Sequence, residues 1–166
     1  RGSIKLVKNT TGGDGAFNFT STTLTPASND LTTIDGVAEY TYGNLVPGTY
    51  DLSETDPAPD FDLKQATCTN GTPGAITVVA GEETVCTFEN TKRGSITIVK
   101  NTIGGDGKFD YTSAELGDFS LTTVGNTAKT DFEKLEPGIY DVTETVPDGW
   151  DLTNSFCSDG STLPNI

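Results

Sequence analysis

Apolar and polar residues alternate with a period of two along several short runs. In residues 2–8 the positions sharing one face are Ile4, Leu6 and Lys8; in 50–54 they are Tyr50, Leu52 and Glu54; in 86–90 they are Cys86, Phe88 and Asn90. Successive residues of a strand point to opposite faces, so the apolar members of each row mark the face turned to the core. By the same parity Lys8, Glu54 and Asn90 end three inward rows. Further strands are predicted over 75–79 and 84–90. No stretch of ten or more residues keeps the i, i+3, i+4, i+7 spacing of an amphipathic helix without a Gly, a Pro or a Thr/Ser cluster interrupting it. The runs are rich in Thr, Val, Ile, Phe and Tyr, with Gly, Pro, Asn and Asp between them, which predicts an all-β chain with frequent turns.

The pattern occurs twice. Arg1-Gly2-Ser3-Ile4 returns as Arg93-Gly94-Ser95-Ile96, and Gly12-Gly13-Asp14-Gly15 as Gly104-Gly105-Asp106-Gly107. Leu45-Val46-Pro47-Gly48-Thr49-Tyr50-Asp51 returns as Leu135-Glu136-Pro137-Gly138-Ile139-Tyr140-Asp141, and Phe61 and Cys68 correspond to Trp150 and Cys157. The small changes of offset fall between strands, where loops tolerate insertions. Two domains are expected, 1–91 and 92–166. The second repeats the rows Ile96, Ile98, Lys100 and Tyr140, Val142, Glu144. It has no counterpart of the strands over 75–79 and 84–90, so it is expected to lack its last strand or strands and to present an open sheet edge. Two explanations stay open: a window on a longer array of repeats, or a strand donated by a neighbouring copy. The junction over 90–95 is too short for a flexible linker and predicts a semi-rigid succession of domains.

An amine, a carboxyl and a carboxamide at the ends of apolar rows suggest one particular chemistry. Burial disfavours the charged form of Lys and of Glu, so a buried Lys8 can be a neutral nucleophile and a buried Glu54 a proton carrier. The Lys8 amine would then attack the Asn90 carboxamide, with Glu54 shuttling protons and ammonia leaving. The alternative on the same residues is a strand-end lysine snorkelling to water, with Glu54 as its ion-pair partner and Asn90 as a turn residue.

Those residues resemble the collagen-adhesin B-type (Cna-B-like) and SpaA-like domains of bacterial surface adhesins and pilins. Ile4-Lys5-Leu6-Val7-Lys8 looks like their first-strand lysine segment and Thr87-Phe88-Glu89-Asn90 like the last-strand asparagine. Tyr50-Asp51-Leu52-Ser53-Glu54-Thr55 followed by Pro57 looks like the glutamate strand, as does Tyr140-Asp141-Val142-Thr143-Glu144-Thr145-Val146-Pro147 in the second repeat. The resemblance covers nearly the whole chain. It implies tandem immunoglobulin-like or prealbumin-like β-sandwiches, an extracellular or cell-surface location, and a Lys8–Asn90 isopeptide bond with Glu54 as the catalytic group. Glu144 and Lys100 would be the equivalents in the second repeat, where no asparagine partner is present.

The cysteine pair departs from the family's crosslinked pattern. Cys68 and Cys86 lie 18 residues apart, and pairing them would close a loop worth about 3 kcal/mol. That pairing, which the composition and the resemblance favour, implies an oxidising compartment; three reduced cysteines in a cytosolic protein is the alternative. Cys157 would be unpaired or bonded to another chain.

Composition excludes other classes. The chain has 166 residues, no His, and 24 acidic against 10 basic residues, a net charge of −14. Without His there is no Ser-His-Asp or Cys-His site. The charge opposes a phosphate-backbone partner. No apolar run approaches the ~20 residues that span a bilayer, and no export signal opens the sequence. No cofactor and no metal are expected. Asp14, Asp106 and the group Asp56, Asp60, Asp62 fit no known calcium loop. The glycine-rich tetrads are read as hairpin turns, Phe61 and Trp150 as core caps rather than a sugar platform, and Asn9-Thr10-Thr11 as a glycosylation sequon that its repeat Asn101-Thr102-Ile103 does not keep. Leu163-Pro164-Asn165-Ile166 does not have the form of a sortase signal. The expected function is that of an extracellular structural stalk or filament with covalent clamps, not an enzyme. Its partners would be copies of itself or further repeats of a longer chain. An adhesin module that binds a glycan or host protein through end loops is the alternative.

Overall fold

The computed structural model describes residues 1–161; the Leu163–Ile166 tetrapeptide lies outside them. Fifteen strands and no helix are found among the described residues, so none has a helix long and apolar enough to cross a membrane. Two compact units divide between Arg93 and Gly94. The division falls there because the last strand of unit 1 runs on to Lys92, and Arg93 is tied back to unit 1 by a two-pronged pair with Asp62 (2.7 and 3.1 Å).

Unit 1 has ten strands: β1 (Gly2–Thr11), β2 (Ala16–Thr20), β3 (Ser28–Thr32), β4 (Val37–Leu45), β5 (Gly48–Tyr50), β6 (Ser53–Glu54), β7 (Phe61–Cys68), β8 (Gly71–Thr72), β9 (Ala75–Val78) and β10 (Glu83–Lys92). One sheet has the order β4-β1-β10-β7; the opposing layer is made of β3-β2-β6 and β5-β9-β8. The first and last strands lie side by side and parallel, with Leu6 opposite Cys86, Lys8 opposite Phe88 and Thr10 opposite Asn90. Their inner faces and those of the second layer enclose one core of Ile4, Leu6, Phe17, Phe19, Ile76 and Phe88, with Leu52 from the link before β6. Each such side chain contributes roughly 1.5–3 kcal/mol of burial, and Phe19 meets Phe88 edge-on at 5.1 Å.

Two local expectations change. Residues 50–54 form not one strand but two, β5 pairing with β9 and β6 with β2. The break is held by Asp51, whose carboxylate accepts hydrogen bonds from the Thr22 N–H and from the hydroxyls of Ser21, Thr22 and Thr23. The Gly12-Gly13-Asp14-Gly15 segment is not a hairpin. It carries the chain from β1 in one sheet to β2 in the other, with Gly12 and Gly13 at φ of 87° and 145°. Asp14 accepts from the Asp35 and Gly36 N–H groups and so fastens this crossing to the tight turn before β4.

Unit 2 comprises β11 (Gly94–Asn101), β12 (Lys108–Thr112), β13 (Phe119–Thr122), β14 (Thr127–Leu135) and β15 (Thr143–Thr145). They repeat β1, β2, β3, β4 and β6, with β11 paired to β14 and β12 between β13 and β15. Phe109, Tyr111, Leu121 and Val142 form its core, and Trp150 closes it against Phe109 at 5.1 Å, as Phe61 closes unit 1 against Phe17 at 5.0 Å. Among the described residues nothing takes the places of β7 to β10. In unit 1 β7 pairs only with β10. The equivalent stretch in unit 2, 150–157, pairs with no strand among the described residues and forms none itself.

Candidate functional site

Strand parity delivers Lys8 to the core end of β1, where it is fully buried. β10 delivers Asn90 from the neighbouring parallel strand on the same face, 2% exposed. A bulge in the pairing of β10 with β7 falls between Glu89 and Asn90, where the ladder is locally re-aimed. β6 brings Glu54 from the opposing layer through its pairing with Phe19 of β2.

The three side chains meet. Lys8 Nζ lies 3.0 Å from Glu54 Oε1, and neither side chain reaches solvent. Asn90 Nδ2 donates to the same Oε1 at 3.2 Å. The Lys8 amine also donates to the Phe88 carbonyl at 3.5 Å and stands 4.3 Å above the Phe17 ring. Burial pushes the Lys8 amine below its ordinary value, and the Glu54 carboxylate works against that shift. Glu54 Oε2 and Asn90 Oδ1 are buried with no hydrogen-bond partner among the described residues. A bare buried acceptor costs about 1–3 kcal/mol, so two in one cluster call for a reason.

Unit 2 holds a related pair in a different setting. Lys100 Nζ lies 2.6 Å from Glu144 Oε1 and 4.2 Å above the Phe109 ring. The two side chains keep 12% and 11% exposure, because no β10 counterpart covers them among the described residues. The free Glu54 Oε2 has no parallel here, since the Tyr111 hydroxyl donates to Glu144 Oε2 at 3.4 Å. Burial, and then the negative Glu144, push the Tyr111 phenol up. Phe19 occupies the Tyr111 position in unit 1 and offers no such donor.

Cys68 and Cys86 face each other on β7 and β10 and are joined by a disulfide, 4.0 Å between Cα atoms. It pins β10 four residues before Asn90. Cys157 is a free, half-buried thiol. Of the carboxylates considered for calcium, Asp14 and Asp106 accept backbone N–H groups, Asp56 accepts the Ala58 N–H, and Asp62 pairs with Arg93.

Two contributors escaped the sequence. Phe17 lies under the Lys8 amine, and Tyr111 fills the Glu144 acceptor. Both sit on inward positions of strands whose alternation was readable, but the facing partner across the sandwich was not.

A SpaA-family sequence model described as a prealbumin-like fold domain matches residues 4–92 and again 96–165. The chain belongs to this family. Its two SpaA-like prealbumin domains are of the type found in surface pilins and adhesins, and the all-β sandwich expected from the sequence is their fold. No curated protein matches the chain.

Proposed function

We propose that this tandem SpaA-like chain is an extracellular structural protein that carries tension, and that unit 1 locks itself with a Lys8–Asn90 isopeptide bond. The observation that carries the proposal is the dry Lys8–Glu54–Asn90 cluster with two unpartnered acceptors. Removal from water favours passing one proton from the lysine to the glutamate, leaving a neutral amine and a neutral acid. A half-turn of the carboxamide sets Asn90 Oδ1 against the protonated Glu54. The Lys8 lone pair attacks Cγ, Glu54 supplies the proton that the carbonyl oxygen needs, and returns a lysine proton to the departing nitrogen. One C–N bond forms, one breaks, and ammonia leaves. Fixed neighbours in such a site contribute about 7–11 kcal/mol toward the barrier. The event happens once per molecule, so it does not make the chain an enzyme.

Parallel pairing of the first and last strands supports the load-bearing role. Pulled from its two ends, unit 1 loads the β1–β10 ladder in shear, so its hydrogen bonds resist together. The Cys68–Cys86 bridge is in keeping with an oxidising, extracellular setting.

Intact mass of the reduced, denatured chain tests the proposal. Wild type is expected to fall short of its calculated mass by one ammonia, and Lys8→Ala, Glu54→Ala and Asn90→Ala to restore the full value. A full-mass wild type that folds normally overturns the isopeptide.

A further inference from the structure

We infer that residue 19 decides where the proton of the buried lysine–glutamate pair rests: the Phe19 ring leaves Glu54 free to take it, and a phenol at that position would not. Phe19 is thus a positioning residue for the crosslink, and its kinetic consequence rests on the isopeptide proposed above. The two repeats fill one register position differently. In unit 1, Phe19 of β2 stands directly opposite Glu54 of β6. In unit 2, Tyr111 of β12 stands directly opposite Glu144 of β15. Both rings are buried. In both units the lysine lies against one oxygen of the glutamate, Lys8 at 3.0 Å from Glu54 Oε1 and Lys100 at 2.6 Å from Glu144 Oε1. The units differ at the other oxygen. The Tyr111 hydroxyl donates to Glu144 Oε2 at 3.4 Å, whereas Glu54 Oε2 is buried with no partner among the described residues.

That second hydrogen bond has a chemical consequence. A donor aimed at a carboxylate favours its charged form. With a phenol in place, moving the lysine proton onto the glutamate weakens the phenol's bond as well as the ion pair. The pair then rests as ammonium and carboxylate, and an ammonium has no lone pair with which to attack. The phenol itself stays a donor, because burial and then the negative Glu144 push the Tyr111 ionisation up. Phe19 carries no O–H and leaves Oε2 bare, so the charged form of Glu54 gains nothing on that side. The ring also meets Phe88 edge-on at 5.1 Å, and the Phe88 carbonyl accepts from the Lys8 amine. Phe19 therefore packs against the strand that holds Lys8 and Asn90 together, while its lack of a hydroxyl sets the state of Glu54.

The test uses the full chain, ligated at Cys68 in denaturant from segments 1–67 and 68–166, so that Lys8 and Asn90 have never met before folding starts. Intact mass of aliquots, reduced and denatured after dilution from denaturant, times the loss of one ammonia. Phe19→Tyr should lose it roughly tenfold to a hundredfold more slowly than wild type, the worth of one hydrogen bond to a charged group. Para-methylphenylalanine at position 19 has the size of tyrosine without the O–H and should react close to the wild-type rate. A second readout needs no crosslink. In Asn90→Ala, which cannot form the bond, the carboxyl-carbon NMR signal of Glu54 at neutral pH should be that of the neutral acid with Phe19 and that of the carboxylate with Phe19→Tyr. Should Phe19→Tyr not fold, Tyr111→Phe reads the same contrast in unit 2, where the Glu144 signal should move toward that of the neutral acid. Equal rates for wild type and Phe19→Tyr, equal slowing by the two substituted rings, or an unmoved glutamate signal overturns the role of residue 19 and leaves the isopeptide standing. Full mass in folded wild type overturns the isopeptide and the kinetic effect with it, and the glutamate signals then decide alone whether residue 19 places the proton.

Discussion

Removing the Glu54 carboxylate while Lys8 stays in place is the sharpest energetic probe of the cluster. The measurement is best made on Asn90→Ala, which cannot form the amide bond, so that the ion pair is separated from the crosslink. In that background Glu54→Ala leaves a fully buried ammonium with one carbonyl, Phe88 O at 3.5 Å, and the Phe17 ring at 4.3 Å. Stripping one partner from a buried pair costs about 3–5 kcal/mol. At about 4–8 °C per kcal/mol for a domain of this size, unit 1 should melt roughly 12–40 °C lower. Unit 2 supplies an internal control. Glu144→Ala leaves Lys100 with a path to water, since the pair is 12% and 11% exposed, and should cost only about 1–2 kcal/mol. Calorimetry resolves the transitions, and the single tryptophan, Trp150, reports unit 2 alone by fluorescence. A Glu54→Ala loss below about 1 kcal/mol, or one equal to that of Glu144→Ala, would show that Lys8 reaches water in solution, contrary to the burial argument.

Other outcomes follow from the same contacts. Replacing Cys68 and Cys86 by Ala, or reducing them, should lower the stability of unit 1 by about 3 kcal/mol in urea titrations, the closure term of an 18-residue loop. Asp51 is held at about 2 against an ordinary 3.8, by the Thr23 hydroxyl first and then by the Thr22 N–H and the neighbouring hydroxyls. The unfolded state therefore binds its proton more readily, so the stabilisation is whole above about pH 4 and fades as pH falls toward 2; Asp51→Asn should remove that part of the acid slope. With the Cys68–Cys86 disulfide reduced, wild-type unit 1 pulled by its ends in a force microscope should withhold the residues between Lys8 and Asn90, roughly 290 Å at ~3.5 Å per residue, and Asn90→Ala should release them. Full extension of wild type would show that no bond joins β1 to β10.

Much of this arrangement was legible because a strand has a period of two. The row Ile4, Leu6, Lys8 and the row Cys86, Phe88, Asn90 needed only counting, and the repeat doubled the signal. Cross-sandwich neighbours were not legible, since they depend on which sheets face each other; Phe17 beneath Lys8 and Tyr111 beside Glu144 are the examples. The break at Asp51 was hidden for a related reason. Its partners, Ser21 to Thr23, lie about thirty residues away, and no local propensity reports on them. The glycine tetrad announced its positive φ angles but not that it crosses between layers, because the same residues suit a hairpin and a sheet-to-sheet crossing alike.

The central claim is a covalent link between two named side chains, and peptide mapping with tandem mass spectrometry reads it directly. Digestion of the reduced, denatured protein should yield a branched fragment joining the segment around Lys8 to the segment around Asn90, lighter than their sum by one ammonia, with Lys100 recovered as a free amine. Recovery of two linear fragments, with unmodified Lys8 and an intact Asn90 carboxamide, would contradict the account.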